Sequence, residues 1–128
     1  IGTDQVGRGS ASDTMVAWWA TSLTGPWVPH RLNPLRIDSR AARPGGRFIE
    51  RDGKLVLPLQ DGSSSYGGGL GLAELELLGD DDVRFGPVTP VTTGEAWAGR
   101  SIHTLTRAGR NTPMPIQAGL GACRSSRQ

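Results

Sequence analysis

The chain has a single cysteine, Cys123, so it can form neither an intramolecular disulfide nor a cysteine-based metal centre. No stretch approaches the roughly 18 apolar residues that a membrane-spanning helix needs, so no transmembrane segment is expected. Ile1 to Ser10 lacks the basic start and apolar core of a signal peptide. The chain does not begin with Met, so a leader upstream is compatible with it and localisation stays open. Charge of one sign is not concentrated either: 14 basic and 12 acidic residues leave a formal net charge of +2, and they are scattered. With no block dense enough to track a phosphate backbone, no nucleic-acid partner is expected.

What is abundant is glycine and proline, 19 and 9 residues, both of which interrupt helices. A helical bundle is therefore disfavoured, and the 128 residues suffice for one domain with a real core. Thr14 to Ser22, TMVAWWATS, is rich in β-formers and reads as a buried strand. Thr24-Gly25-Pro26 turns it into an edge strand at Trp27 to His30. Leu32 to Gly46 lacks apolar periodicity and reads as a connecting loop. Arg47 to Arg51 and Lys54 to Gln60 flank Asp52-Gly53, a two-residue sequence suited to a type I′ hairpin turn. Leu70 to Leu78 follows the glycines at 67–69 and alternates as a strand. Its Ala, Leu and Glu content makes helix the competing reading. Gly79 to Asp82 forms the next turn, and Val83 to Val91, interrupted by Gly86-Pro87, closes an antiparallel four-stranded meander.

Partial copies of that plan flank the meander. Gly25-Pro26 echoes Gly86-Pro87, and Ser101 to Arg107, SIHTLTR, begins another strand after a loop holding Trp97. The two Gly-Pro steps are further apart than the roughly 40 to 50 residues of propeller repeats, and the 32–46 loop accounts for much of the excess. The expectation is an all-β chain, a fragment of a β-propeller built from four-stranded antiparallel blades. One complete blade spans about 46–91 within a partial propeller at 1–109, and an unstructured tail follows at 110–128. A fragment of this kind exposes unpaired strand edges and is expected to self-associate.

The order of several short motifs resembles a known family. Ser22 to Trp27 reads S-L-T-G-P-W, His30 to Pro34 H-R-L-N-P, Asp38 to Gly46 D-S-R-A-A-R-P-G-G, and Asp52 to Leu55 D-G-K-L. Pro58 to Asp61 (P-L-Q-D), Tyr66 to Gly68 (Y-G-G) and His103 to Gly109 (H-T-L-T-R-A-G) complete the series. In this order and spacing they resemble the N-terminal propeller-like domain of glucosamine inositolphosphorylceramide transferases, over roughly the middle four-fifths of the chain. After Gly109 the sequence departs from that pattern. The resemblance implies a fold like the five-bladed propellers of arabinanase-like and invertase-like glycoside hydrolases, a carbohydrate or glycolipid ligand, and a fused transferase domain in the full-length protein.

Propeller ligands meet the mouth of the central channel, so Arg43, Gln60, Asp61, Tyr66 and His103 are the candidate binding residues. Arg43 can grip a carboxylate, a phosphate or sugar hydroxyls, or it can pair with Asp38 to pin its loop. Gln60 and Asp61 can bind vicinal hydroxyls, or Asp61 can serve as a turn former ahead of Gly62. Tyr66 can stack on a sugar ring or plug an interface between blades. His103 can face the channel or a buried hydrogen-bond partner, whereas His30 sits in a proline-flanked edge segment with nothing to mark it as a ligand. Two histidines without convergent carboxylates define no metal site, and no cofactor is implied. Three readings follow: a carbohydrate- or glycolipid-binding accessory domain, a remnant of a propeller glycosidase or glycosyl-transferring enzyme, and a structural or protein-binding segment. The second needs a carboxylate pair drawn from Asp38, Asp61 and Glu95, or one of these with a carboxylate from elsewhere.

Overall fold

The computed structural model describes residues 1–5, 12–92 and 102–106. Among these residues every regular element is a strand: β1 Gly2–Thr3, β2 Thr14–Val16, β3 Trp18–Trp19, β4 Val28–Pro29, β5 Arg36–Ile37, β6 Arg43–Pro44, β7 Ile49–Arg51, β8 Lys54–Asp61, β9 Gly69–Leu78, β10 Val83–Phe85 and β11 Thr89–Pro90. The described residues are all-β, and the strand reading of residues 70–78 prevails over the helical one. Trp97, Glu95, Cys123 and the 110–128 tail lie outside the described residues.

Two long antiparallel strands form the centre, β8 and β9, paired from Val56 opposite Glu74 to Asp61 opposite Gly69. The expected two-residue turn joins β7 to β8, with Arg51 opposite Lys54 and positive φ at both Asp52 (54°) and Gly53 (75°). Each outer edge of this pair is made of two short strands. Beyond β9 lie β10 and β11, separated by Gly86-Pro87, with Gly86 still donating to the Glu74 carbonyl at 2.9 Å. Beyond β8 lie β6 and β7, so that the whole is a six-stranded sheet with the outline of a four-tier meander.

Pro58 explains why the β6–β7 edge is split. Gly45 N–H donates to the Pro58 carbonyl at 2.8 Å, so residue 58 turns its backbone toward that edge. In a strand the N–H and C=O of one residue point the same way, and proline has no N–H to give. The outer chain therefore loses its ladder partner there and detours through Gly45–Phe48 before pairing again at Ile49.

Both faces of the sheet are covered at the end where β8 meets β6. Leu57, Leu59 and Ala73 pack on one face with Met15, Ala41 and Ala42, joined by half-buried Leu35, Phe48, Phe85 and Val88. On the other face Leu70 packs with Ile102 and Leu105, joined by Ile49, Leu72 and Val91. Met15, Leu57 and Leu59 are fully buried, and each such side chain contributes roughly 1.5–3 kcal/mol. Leu55 shares the phase of Leu57 and Leu59 but lies beside the hairpin turn, and it is exposed.

Three sequence expectations need correction in detail. The 14–22 strand breaks at Ala17: β2 is buried in a small sheet between β1 and β5, while β3 leaves to form an exposed ribbon with β4. Asn33 causes the break, because its side-chain amide takes both backbone groups of Ala17, accepting from N at 2.9 Å and donating to O at 2.8 Å. The 32–46 connection contains two strands, β5 and β6, each too short to show periodicity. Of the 101–107 strand, residues 102–106 are described and make a single bridge, Leu105 N–H to the Gly45 carbonyl at 2.8 Å.

Candidate functional site

The end of the sheet at Arg43, Gln60 and Asp61 collects most of the candidate residues. Arg43 and Gln60 are register partners across β6 and β8, separated by 17 positions in sequence. The loop after β8 brings Tyr66 back over the same end, and the covering 102–106 segment supplies His103. The Arg43 guanidinium carbon lies 5.3 Å from the Tyr66 ring centroid, a cation–π distance, and Nη2 reaches the Tyr66 hydroxyl at 3.5 Å. The Tyr66 and His103 rings follow with centroids 4.8 Å apart and a tilt of 47°. Gly67, at φ 69°, lets the turn lie against the imidazole: a Cβ there would stand 3.3 Å from His103 Cδ2.

Gln60 belongs to this group as a support. It is 4% exposed, and its Nε2 donates to the His103 carbonyl at 2.9 Å, which fastens the 102–106 segment to the sheet. His103 Nε2 is buried and has no hydrogen-bond partner among the described residues. A buried ring nitrogen of this kind is costly unless something meets it.

Asp61 lies one residue further along β8 and so points to the opposite face. Its Oδ1 accepts from Ser63 Oγ at 2.6 Å and from Ser63 N–H at 2.9 Å. These bonds, with a smaller contribution from the charge of Arg40, hold its carboxyl below the ordinary range. That geometry is the turn-forming one. Asp38 is likewise engaged, with Oδ1 accepting from Arg40 N–H and its carbonyl from Ala41 and Ala42. Arg43 reaches not Asp38 but Ser12, whose Oγ accepts from Nη1 at 3.3 Å. Ser12 precedes Arg43 by 31 positions and carries no motif, so only the fold reveals it.

His30 is buried and structural: Nδ1 accepts from Leu32 N–H at 3.2 Å and Nε2 donates to the Gly79 carbonyl at 2.8 Å. Together with the Arg31–Asp81 ion pair at 2.6 Å it ties the β4 end to the β9–β10 turn. Among the described residues no three His, Cys, Asp or Glu side chains converge as a metal would require. A separate open hollow of about 370 Å³ lies at the exposed ribbon, lined by Ile1, Gly2, Trp18 and Trp27.

With this geometry in place, the chain can be compared with known proteins. The family described as glucosamine inositolphosphorylceramide transferase 1, N-terminal, matches residues 1–111. The chain is 33% identical over 87 residues to glucosamine inositolphosphorylceramide transferase 1 of Arabidopsis thaliana, covering 66% of this chain and 11% of that protein. It is 38% identical over 98 residues to the protein of the same name from Oryza sativa subsp. japonica, covering 69% of this chain and 13% of that protein. No solved structure matches the chain significantly. The chain thus belongs to the family of N-terminal domains of glucosamine inositolphosphorylceramide transferase 1, and it spans between 11% and 13% of the length of these relatives.

Proposed function

From that membership we propose that this chain is part of a carbohydrate- or glycolipid-binding accessory domain of a glycan-modifying protein, and that its meander is one blade of a β-propeller. A fused transferase domain would carry the chemistry in the full-length protein, a reading supported by Asp38 and Asp61 both being held as turn formers. The observation that supports a ligand site is the convergence of Arg43, Tyr66 and His103, from three separate segments, on one end of the sheet. Such a group brings a planar cation, a phenol and an imidazole to one end of the sheet, the mix that polyol recognition uses. The relatives' name points to glucosamine and inositol as the ligands to try first.

Saturation-transfer NMR on the full chain with myo-inositol and with glucosamine tests this reading. Binding by the parent chain, weakened at least tenfold by Tyr66→Ala and by His103→Ala, is the expected result. Unchanged affinity in both variants would remove this face from the site.

A further inference from the structure

We propose that the β3–β4 ribbon is a docking surface for a second copy of this chain, and that the contact is reciprocal: Leu23 of each copy seats in the hollow beside Trp18 and Trp27 of the other.

Two complementary shapes lie on the ribbon. Leu23 is the projecting one. Gly25 N–H donates to the Ser22 carbonyl at 3.1 Å, and Ser22 Oγ donates to the Gly25 carbonyl at 3.0 Å. The 22–25 turn is thus held from within and leaves Leu23 outside it, 91% exposed. The recessed shape is the hollow of about 370 Å³, where Ile1 and the two indoles supply apolar walls and Gly2 adds no side chain to fill it. A projection and a hollow on distant faces would propagate into an open chain of copies, but on one ribbon a two-fold axis can satisfy both at once and stop at two.

A two-fold contact sets a surface against itself, so any charge on it would meet its like. Residues 14–29 contain none of the chain's 14 basic and 12 acidic residues. Arg31, which follows the ribbon, is paired with Asp81 at 2.6 Å. The segment can therefore meet its own copy without like-charge repulsion.

Side chains, not backbone, make this contact. His30 N–H points inward to the Ala17 carbonyl at 2.9 Å, so position 29 turns its backbone outward, and proline there has no N–H to give. The open edge of β4 is a poor template for strand addition. A two-stranded ribbon is marginal by itself, and cover over its indoles contributes what so short a ladder does not.

Sedimentation velocity on the full chain with Leu23→Ser and with Trp27→Gln, singly and mixed, tests the reciprocity. A dimer of either variant keeps no intact pairing of projection with hollow. The mixed dimer keeps one, Leu23 of the Trp27→Gln chain in the hollow of the Leu23→Ser chain. The parent should form dimers and nothing larger, each variant alone should dissociate at least tenfold more readily, and the equimolar mixture should recover several-fold of the lost affinity. Both side chains are exposed, so the variants should melt with the parent. A mixture no tighter than the separate variants overturns the reciprocal contact, as does association that both variants retain or that grows past two copies. A monomeric parent overturns it as well, and flotation of that monomer with phosphatidylcholine vesicles would assign the ribbon to a lipid surface instead.

Discussion

Gln60 is the residue whose role depends most on what covers it. Alternation along β8 places it on the face opposite Leu57 and Leu59, which in a two-sided reading is free to meet a ligand. The 102–106 segment lies over that face, and Gln60 is consumed by the His103 carbonyl. Nothing in the period of a strand says that a segment some 40 positions later will cover it, so the grouping of Arg43, Tyr66 and His103 was legible in motif order, but the division of labour among them was not. Gln60→Ala should lower stability by about 1–3 kcal/mol, through the unpaired carbonyl and the space left behind, and should reduce hydrogen-exchange protection at Leu105. Asp61 has a pH signature. Hydrogen bonds from Ser63 depress its folded pKa, so the stability it contributes is fully present above its unfolded value near pH 4 and is lost as pH falls through the lower folded value. Asp61→Ala should therefore flatten the acid limb of denaturant-measured stability below about pH 4 and leave the pH dependence near neutrality unchanged. An acid limb identical to that of the parent would show that the Ser63 bonds do not form in solution.

At the scale of elements, turn chemistry was readable and strand breaks were not. Asp52-Gly53 specifies its hairpin locally, through two residues that accept positive φ. The break at Ala17 is imposed by Asn33 from 16 positions away, and the β6–β7 break by Pro58 acting on a neighbouring strand. Both are effects of partners that a window on one segment does not contain. Two glycines separate backbone strain alone, at Gly53, from strain combined with a close contact, at Gly46. A Cβ on Gly53 meets no atom within 4 Å, so Gly53→Ala should cost only the left-handed conformation, about 1 kcal/mol, with an unchanged denaturant slope. A Cβ on Gly46 collides with the Leu105 carbonyl, so Gly46→Ala should displace the 102–106 segment. Its cost should be roughly 1–3 kcal/mol, and it should also weaken ligand binding through His103, which Gly53→Ala should not. If the two variants affected binding equally, the covering segment would have no part in shaping the site.

The whole molecule carries its apolar surface unevenly. The β3–β4 ribbon stands apart from both larger sheets, and Trp18, Trp19, Trp27, Val28 and Leu23 are exposed on or beside it, Leu23 by 91% and Trp27 by 55%. Residues 14–29 contain no Asp, Glu, Lys or Arg, so no charge on the ribbon itself opposes apolar contact there. Among the described residues no strand pairs with β10 or β11 on the side away from β9, which leaves an edge that further pairing can extend. Clusters of exposed aromatic side chains on this scale mark surfaces that pack against something. The chain should therefore associate with itself in a concentration-dependent way, measured by sedimentation velocity. The paired substitution Leu23→Ser with Trp27→Gln should shift the distribution toward monomer without changing the affinity for myo-inositol, because neither residue belongs to the Arg43, Tyr66 and His103 group. Charged substitutions on the outer edge, such as Thr89→Lys, separate the two causes. If association yields to the edge change and not to the ribbon pair, strand pairing drives it; a parent chain that stays monomeric and unfolds in one cooperative transition would show that ribbon and edges are both tolerated in water.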